Sequence, residues 1–245
     1  DPDQIMSEEQ RKEYERCIEI RSRRVPLQHI TGEQEFMGLS FLVNGDVLIP
    51  RQDTEILVET ALDILNRQEK LFHDGAGRIR ILDLCTGSGC ILLSVLHYMK
   101  CRAEGVGSDL SVRALAVARE NAKRLEIQAD FIESDLFENI SGRFSMILSN
   151  PPYIRTSEIP RLQEEVRIYD PIEALDGRED GLYFYQRIIE ESPSFLKNEG
   201  YLVFEIGCDQ AKDVTEMMRS HGFEEVKVKK DLAGLDRVVY GRYIR

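Results

Sequence analysis

Directly after the apolar run FSMILSN stands Asn150-Pro151-Pro152-Tyr153, a segment whose residue types suit one chemistry. An exocyclic or side-chain NH2 on a planar group is a weak nucleophile because its lone pair is delocalised. Methyl transfer to it needs alignment and acceptors that strengthen as positive charge develops on nitrogen. Asn150 Oδ1 and the Pro151 carbonyl supply two acceptors that hold both N–H bonds in one plane. Tyr153 packs against the flat group, and Pro151 and Pro152 give a fixed, donor-poor backbone. A proline-rich turn closing a strand accounts for the prolines but leaves the asparagine and the aromatic unexplained.

The methyl donor needs its own pocket. Leu82-Asp83-Leu84-Cys85-Thr86-Gly87-Ser88-Gly89 reads as a buried strand ending in an acid and a glycine turn before a helix, the place where open α/β sheets bind nucleotides. A ligand-free turn has the same look, and G-x-G alone is weak. Asp109 closes the next strand about 20 residues on, where a carboxylate accepts from both ribose hydroxyls; a helix-capping aspartate is the alternative. Ser134-Asp135-Leu136 follows the third strand, where Asp135 could hold an adenine amino group and Leu136 cover the ring, with a plain turn as alternative.

A dinucleotide would satisfy Asp109 equally well. Leu92, however, occupies the place of the third glycine in G-x-G-x-x-G, and Asp83 would repel a pyrophosphate. The ammonium and sulfonium of S-adenosylmethionine instead favour a nearby anion. That cofactor, with S-adenosylhomocysteine as product, is the one expected on Asp83, Cys85, Thr86, Gly87, Ser88, Gly89, Asp109, Asp135 and Leu136, with Asn150 shared between cofactor and substrate.

Seven strand-like segments, most of them separated by helical ones, must place these residues: RIRILDL, AEGVGSD, ADFIES, FSMILSN, YLVFEIG, EEVKVKK and DRVVYGRYI. Alternation of this kind predicts an α/β fold with a doubly wound, mainly parallel seven-stranded sheet. The last two segments have no helix between them, so the last strand returns antiparallel. Upstream, residues 7–24 open with Ser7 and Gln10 at capping-box spacing and carry Tyr14, Cys17, Ile18 and Arg21 on one side, a surface helix. Leu39, Phe41 and Val43 alternate toward Asn44-Gly45, which predicts a hairpin turning there into Val47-Leu48-Ile49. Asp53 and Thr54 are read as capping the next helix, which the segment HDGAGR closes off. The connection from 150 to about 178 is long for a compact domain and is read as a substrate lid.

Composition narrows the function classes. The 245 residues are 42% hydrophobic and 31% charged, and contain neither a long apolar run nor a basic-then-apolar leader. No membrane association and a cytoplasmic location are expected. Five cysteines without a C-x-x-C, and four histidines away from them, predict free thiols, a reducing compartment and no metal. A net charge of −12 disfavours nucleic acid as a direct substrate.

The glycine turn, Asp109 and the Asn-Pro-Pro-Tyr segment together resemble class I methyltransferases acting on exocyclic nitrogens, which have a Rossmann-like sheet. PLQHITGEQE (26–35), LIPRQDTE (48–55), YDPIEALDGREDGL (169–182) and AGLDR (233–237) narrow this: the chain resembles the peptide chain release factor glutamine methyltransferase family over about residues 26–243. The resemblance implies N5-methylation of the glutamine in the Gly-Gly-Gln loop of release factors. Asn150 and Pro151 would orient the substrate amide, with Pro152 and Tyr153 lining its slot. Arg51, Asp53 and Glu55 could shape the substrate mouth, or serve only as helix-start residues.

Cys85, Gln52 and Leu136 depart from the glycine, proline and larger aromatic common in the family. The family also has a longer helical domain at its amino terminus, so residues 1–30 are read as its remnant, 31–52 as a hairpin linker and 53–245 as the catalytic domain. Two other functions stay open at this point: a nucleic-acid adenine N6 or guanine N2 methyltransferase, and a non-catalytic cofactor-binding scaffold.

Overall fold

The computed structural model describes residues 5–67, 79–99 and 103–245. Helix α1 (Glu8–Ser22) starts at the expected capping box: Ser7 Oγ accepts from the Gln10 N–H at 3.2 Å and Gln10 Oε1 from the Ser7 N–H at 2.9 Å. It buries none of its residues, and Tyr14 and Ile18 of its apolar stripe are exposed. A short α2 (Leu27–Thr31) ends at Gly32 in the left-handed region.

The hairpin is β1 (Glu33–Phe36) with β2 (Leu39–Leu42), and it turns at Met37-Gly38, both with positive φ. This corrects the turn expected at Asn44-Gly45. There Asn44 Oδ1 accepts the Asp46 N–H at 2.9 Å in a local turn, and residues 47–49 run on without a strand partner. Two side chains decide the placement. Glu55 Oε1 takes the Met37 N–H at 2.7 Å, and buried Asn121 bonds both the N–H (2.7 Å) and the C=O (3.1 Å) of Leu42.

Helix α3 (Glu55–Arg67) follows a 3-10 turn, Gln52–Thr54. Asp53 and Thr54 therefore lie inside that turn and do not cap the helix, a second correction; Thr54 is buried and Asp53 pairs with Arg237. The HDGAGR segment lies outside the described residues, as does Cys101.

The main sheet and its helices follow as β3 (Ile79–Leu84), α4 (Cys90–Tyr98), β4 (Ala103–Asp109), α5 (Val112–Arg124), β5 (Asp130–Glu133), β6 (Phe144–Ser149), α6 (Glu164–Tyr169), α7 (Tyr183–Phe195), β7 (Leu196–Glu205), α8 (Ala211–Ser220), β8 (Phe223–Lys230) and β9 (Asp236–Tyr243). The sheet order is β5-β4-β3-β6-β7-β9-β8, and β9 is antiparallel to both neighbours. The mainly parallel, doubly wound sheet with its antiparallel last strand is as expected.

All six residues of β6 are buried, as a central parallel strand covered on both faces requires. On one face Ile81, Met146 and Val203 pack against α3 and α4. On the other, Leu82, Ile147 and Leu202 pack against α7 and α8. The chain runs outward from β3 to β5 and returns to β6 on the other side of β3, so the switch point lies between β3 and β6. The glycine turn and Asn150 leave the carboxyl ends of those two strands, side by side.

Candidate active site

A cavity of about 370 Å³ opens at this switch point, within the size range of small-molecule and cofactor sites. Of the residues expected from the sequence, Cys85, Thr86, Gly87, Ser88, Asp109 and Asp135 line it, as do Leu136, Asn150, Pro152 and Arg51. Asp83, Gly89, Pro151 and Tyr153 stand behind the wall.

The glycine turn is built around its two acids. Asp83 is fully buried; Oδ2 accepts from Thr86 Oγ1 at 2.6 Å, and Oδ1 has no hydrogen-bond partner. Burial pushes its carboxyl up to about 7, with the Thr86 hydroxyl opposing the shift. Asp109 accepts the Gly87 N–H on Oδ2 and the Ser111 N–H on Oδ1, both at 2.9 Å, while Ser111 itself caps α5. Asp109 is therefore not the cap. Its carboxylate faces the cavity between the glycine turn and α5, and its pKa is raised by burial.

Gly89 sits at φ 80 directly before α4, and no side chain caps that helix. Its first-turn N–H groups, beside cavity-lining Cys90 and Ile91, have no partner within the helix. Ser88 Oγ is buried without a partner. Burial raises the Cys85 thiol far above its ordinary range, so Cys85 is an uncharged part of the wall. Leu136, at φ 50, closes an apolar flank together with Phe184 of α7, which sequence pattern did not single out. Asp135 is held by Arg187 at 2.8 Å.

On the opposite wall, Asn150 lines the cavity and no described residue engages its carboxamide, so Oδ1 remains available as an acceptor; the carbonyl of buried Pro151, behind that wall, likewise has no partner among the described residues. Tyr153 points elsewhere. Its hydroxyl donates to Glu205 Oε1 at 3.3 Å, its ring packs in the core beside β7, and burial raises its pKa well above the ordinary phenol range. Arg51 donates to Asp170 Oδ2 at 2.7 Å and so clasps the 150–178 connection across the cavity mouth. Pro171, Glu173 and Ala174 of that connection line the cavity. Ion pairs Arg21–Glu165 (2.8 Å) and Arg24–Glu164 (3.1 Å) tie the same segment to the end of α1. Of the other mouth candidates, Asp53 pairs with Arg237 at 3.3 Å and Glu55 holds the hairpin turn.

The cavity's features fit a cationic adenosine derivative. It offers an acid at a strand end for ribose, the uncapped start of a helix for a carboxylate, and an apolar flank for a ring, with the buried Asp83 carboxyl behind Thr86.

The chain as a whole is similar to known proteins. The family described as "Methyltransferase small domain" matches residues 63–166, and that described as "PrmC N-terminal domain" matches residues 1–32. A release factor glutamine methyltransferase of Agrobacterium fabrum is 43% identical over 240 residues, covering 97% of this chain and 81% of the relative. One of Clostridium acetobutylicum is 43% identical over 235 residues, covering 93% and 79%. Among solved structures, a T. thermophilus 16S rRNA N2 G1207 methyltransferase in complex with AdoMet and guanosine superposes with a TM-score of 0.55 at 16% identity, covering 86% of this chain and 49% of that one. At that identity it shows a shared fold.

Proposed function

The chain belongs to the release factor glutamine methyltransferase family, and on that premise we propose that it transfers a methyl group from S-adenosylmethionine to the side-chain N5 of the glutamine in the Gly-Gly-Gln loop of peptide release factors. The observation that carries this reading is the unengaged Asn150 carboxamide at the wall of a cavity whose other wall fits the cofactor, with the unpartnered Pro151 carbonyl next to it in the chain.

Bound, the cofactor supplies an electrophilic methyl on a sulfonium. The chain's own residues hold and align. Asp109 accepts from the ribose hydroxyls, the start of α4 receives the carboxylate, and Asp83 balances the positive charge from behind Thr86. Leu136 and Phe184 border the ring. Asn150 and Pro151 take one N–H each of the substrate amide, fix its plane, and strengthen as the nitrogen becomes positive. No base is required before transfer; the proton is lost afterwards from an acidified nitrogen. Pro152 completes the slot wall, and Arg51 with the 150–178 lid closes the mouth over the glutamine.

The release factor is then a protein partner, met in the cytoplasm. Residues 1–30 belong to a docking domain, 31–52 act as linker and 53–245 as catalytic domain, the first of these supported by the amino-terminal family match. Among the described residues no helix is long and apolar enough to cross a membrane.

The test incubates the protein with methyl-labelled cofactor and four acceptors: a release factor, the same factor with its Gly-Gly-Gln glutamine replaced, DNA, and RNA. Label in the intact factor alone is expected. Label in nucleic acid, or in the glutamine-replaced factor, would overturn the reading.

A further inference from the structure

Pro151 and Pro152 carry no N–H, so the two residues beside Asn150 donate no backbone bond. Backbone bonds resume at Ile154, whose N–H goes to the Leu175 carbonyl at 3.0 Å and whose carbonyl takes the Gly177 N–H at 2.8 Å. Between these points the segment is held through Tyr153, by the junction between β7 and α8. Ser149 pairs with Phe204 across the sheet, which brings Glu205 level with Asn150. Glu205 is 2% exposed, and its Oε1 accepts the Tyr153 hydroxyl at 3.3 Å. Five residues on, buried Gln210 donates through Nε2 to the Tyr153 carbonyl and to the Gly181 carbonyl, each at 3.1 Å, while its Oε1 takes the Gly207 N–H at 2.9 Å. Tyr153 is gripped at both ends.

A buried carboxyl is retained only against a large desolvation penalty. What surrounds Glu205 is arranged for it: Arg237 lies alongside, itself shared with Asp231 (3.0 Å) and Asp53 (3.3 Å), and the Glu205 carbonyl accepts the buried Tyr185 hydroxyl at 2.9 Å. Glu205 Oε2 has no partner.

We propose that Glu205 is a positioning residue of the methyl-transfer reaction, which fixes Tyr153 through its hydroxyl and thereby sets the Asn150 and Pro151 acceptors against the substrate amide. The role rests on the methyl-transfer reading. It explains why Tyr153 is turned into the core and does not line the cavity: the tyrosine anchors the acceptor segment from behind.

Five proteins decide the matter, each assayed on release factor for kcat and for KM of both substrates: wild type, E205L, Y153F, the double variant, and E205Q as the conservative control. E205L and Y153F are each expected to lower kcat roughly tenfold, the scale of one lost buried hydrogen bond, with KM for the cofactor within about twofold. The double variant should be no worse than the poorer single, because both remove one interaction. E205Q keeps an acceptor for the hydroxyl and should stay within about threefold of wild type.

Undiminished E205L, multiplicative losses in the double variant, or E205Q as poor as E205L would each overturn the role of Glu205. If E205L does not fold, Y153F with E205Q carries the same decision: Y153F must fall and E205Q must not. Wild-type protein that labels no release factor overturns the methyl-transfer reading, and this role with it.

Discussion

At the cavity wall, the Asn150 side chain makes no bond that a substitution would break, so its replacement separates chemistry from folding. Asn150→Ala is expected to leave cofactor binding, followed by calorimetry, within about threefold of wild type. It should lower kcat on release factor by about 10²-fold, the scale found when one preorganised polar group is taken from a transition state. Equal turnover in variant and wild type would remove Asn150 from the reaction. Residues of this kind were legible in the sequence because their types are unusual at a strand end: Cys85 to Ser88, Asp109, Asp135, Leu136 and Asn150 all reach the cavity. Tyr153 shows the limit. A motif gives spacing along the chain but not the direction of a side chain, and a buried carboxyl at Glu205, far away in sequence, turns the phenol inward. Phe184 gave no signal because an aromatic on an amphipathic helix is ordinary core composition.

Between elements, contacts that hold the site come from chain segments distant from it. Gly177 packs on the acceptor segment so closely that an added Cβ would fall 2.7 Å from the Tyr153 Cα, and Gly181, at φ 75, would meet the Tyr153 carbonyl at 2.5 Å. Backbone cannot yield as a flexible side chain can, so Gly177→Ala should displace the segment or the connection. The expected result is a loss of about 1–3 kcal/mol in stability by urea titration, together with a kcat loss larger than any change in cofactor affinity. Gly177→Ala with wild-type stability and turnover would show the contact to be slack.

Asn121 is the counterpart on the cofactor side. Besides its two bonds to Leu42 it donates to the Ser88 carbonyl at 2.9 Å, and so joins the hairpin to the glycine turn. Neither contact could be read from pattern, since periodicity within one element carries no information on which distant backbone it meets. The hairpin turn illustrates the same point: Asn44-Gly45 has the stronger local preference, yet Glu55 and Asn121 hold the turn at Met37-Gly38. The strands and helices of the sheet, by contrast, were legible, because burial on both faces imposes apolar runs and alternating helical periods.

For the molecule as a whole, the buried acids couple stability, cofactor and pH. Asp83 and Glu205 both have pKa values near 7 in the folded protein, against ordinary values of 3.8 and 4.5. With folded values raised, the native chain binds more protons than the unfolded chain between about pH 4 and pH 7. Their contribution to stability is thus full below their unfolded values and is lost as pH rises through about 7. Cofactor binding should act in the opposite sense at Asp83, because a fixed cation near the carboxylate favours its charged form. At a cofactor concentration 100 times its Kd the chain gains about 2.7 kcal/mol, or about 5–10 °C in Tm for a protein of this size. That gain should be present at pH 8 and shrink at pH 6, where each unit below the Asp83 pKa weakens affinity by up to about tenfold. Asp83→Asn removes the titration, so its cofactor-dependent Tm shift should be small and equal at the two pH values, while the part of the cofactor-free pH dependence due to Glu205 persists. A shift in wild type that is as large at pH 6 as at pH 8 would mean that the positive charge of the bound cofactor is balanced elsewhere than at Asp83.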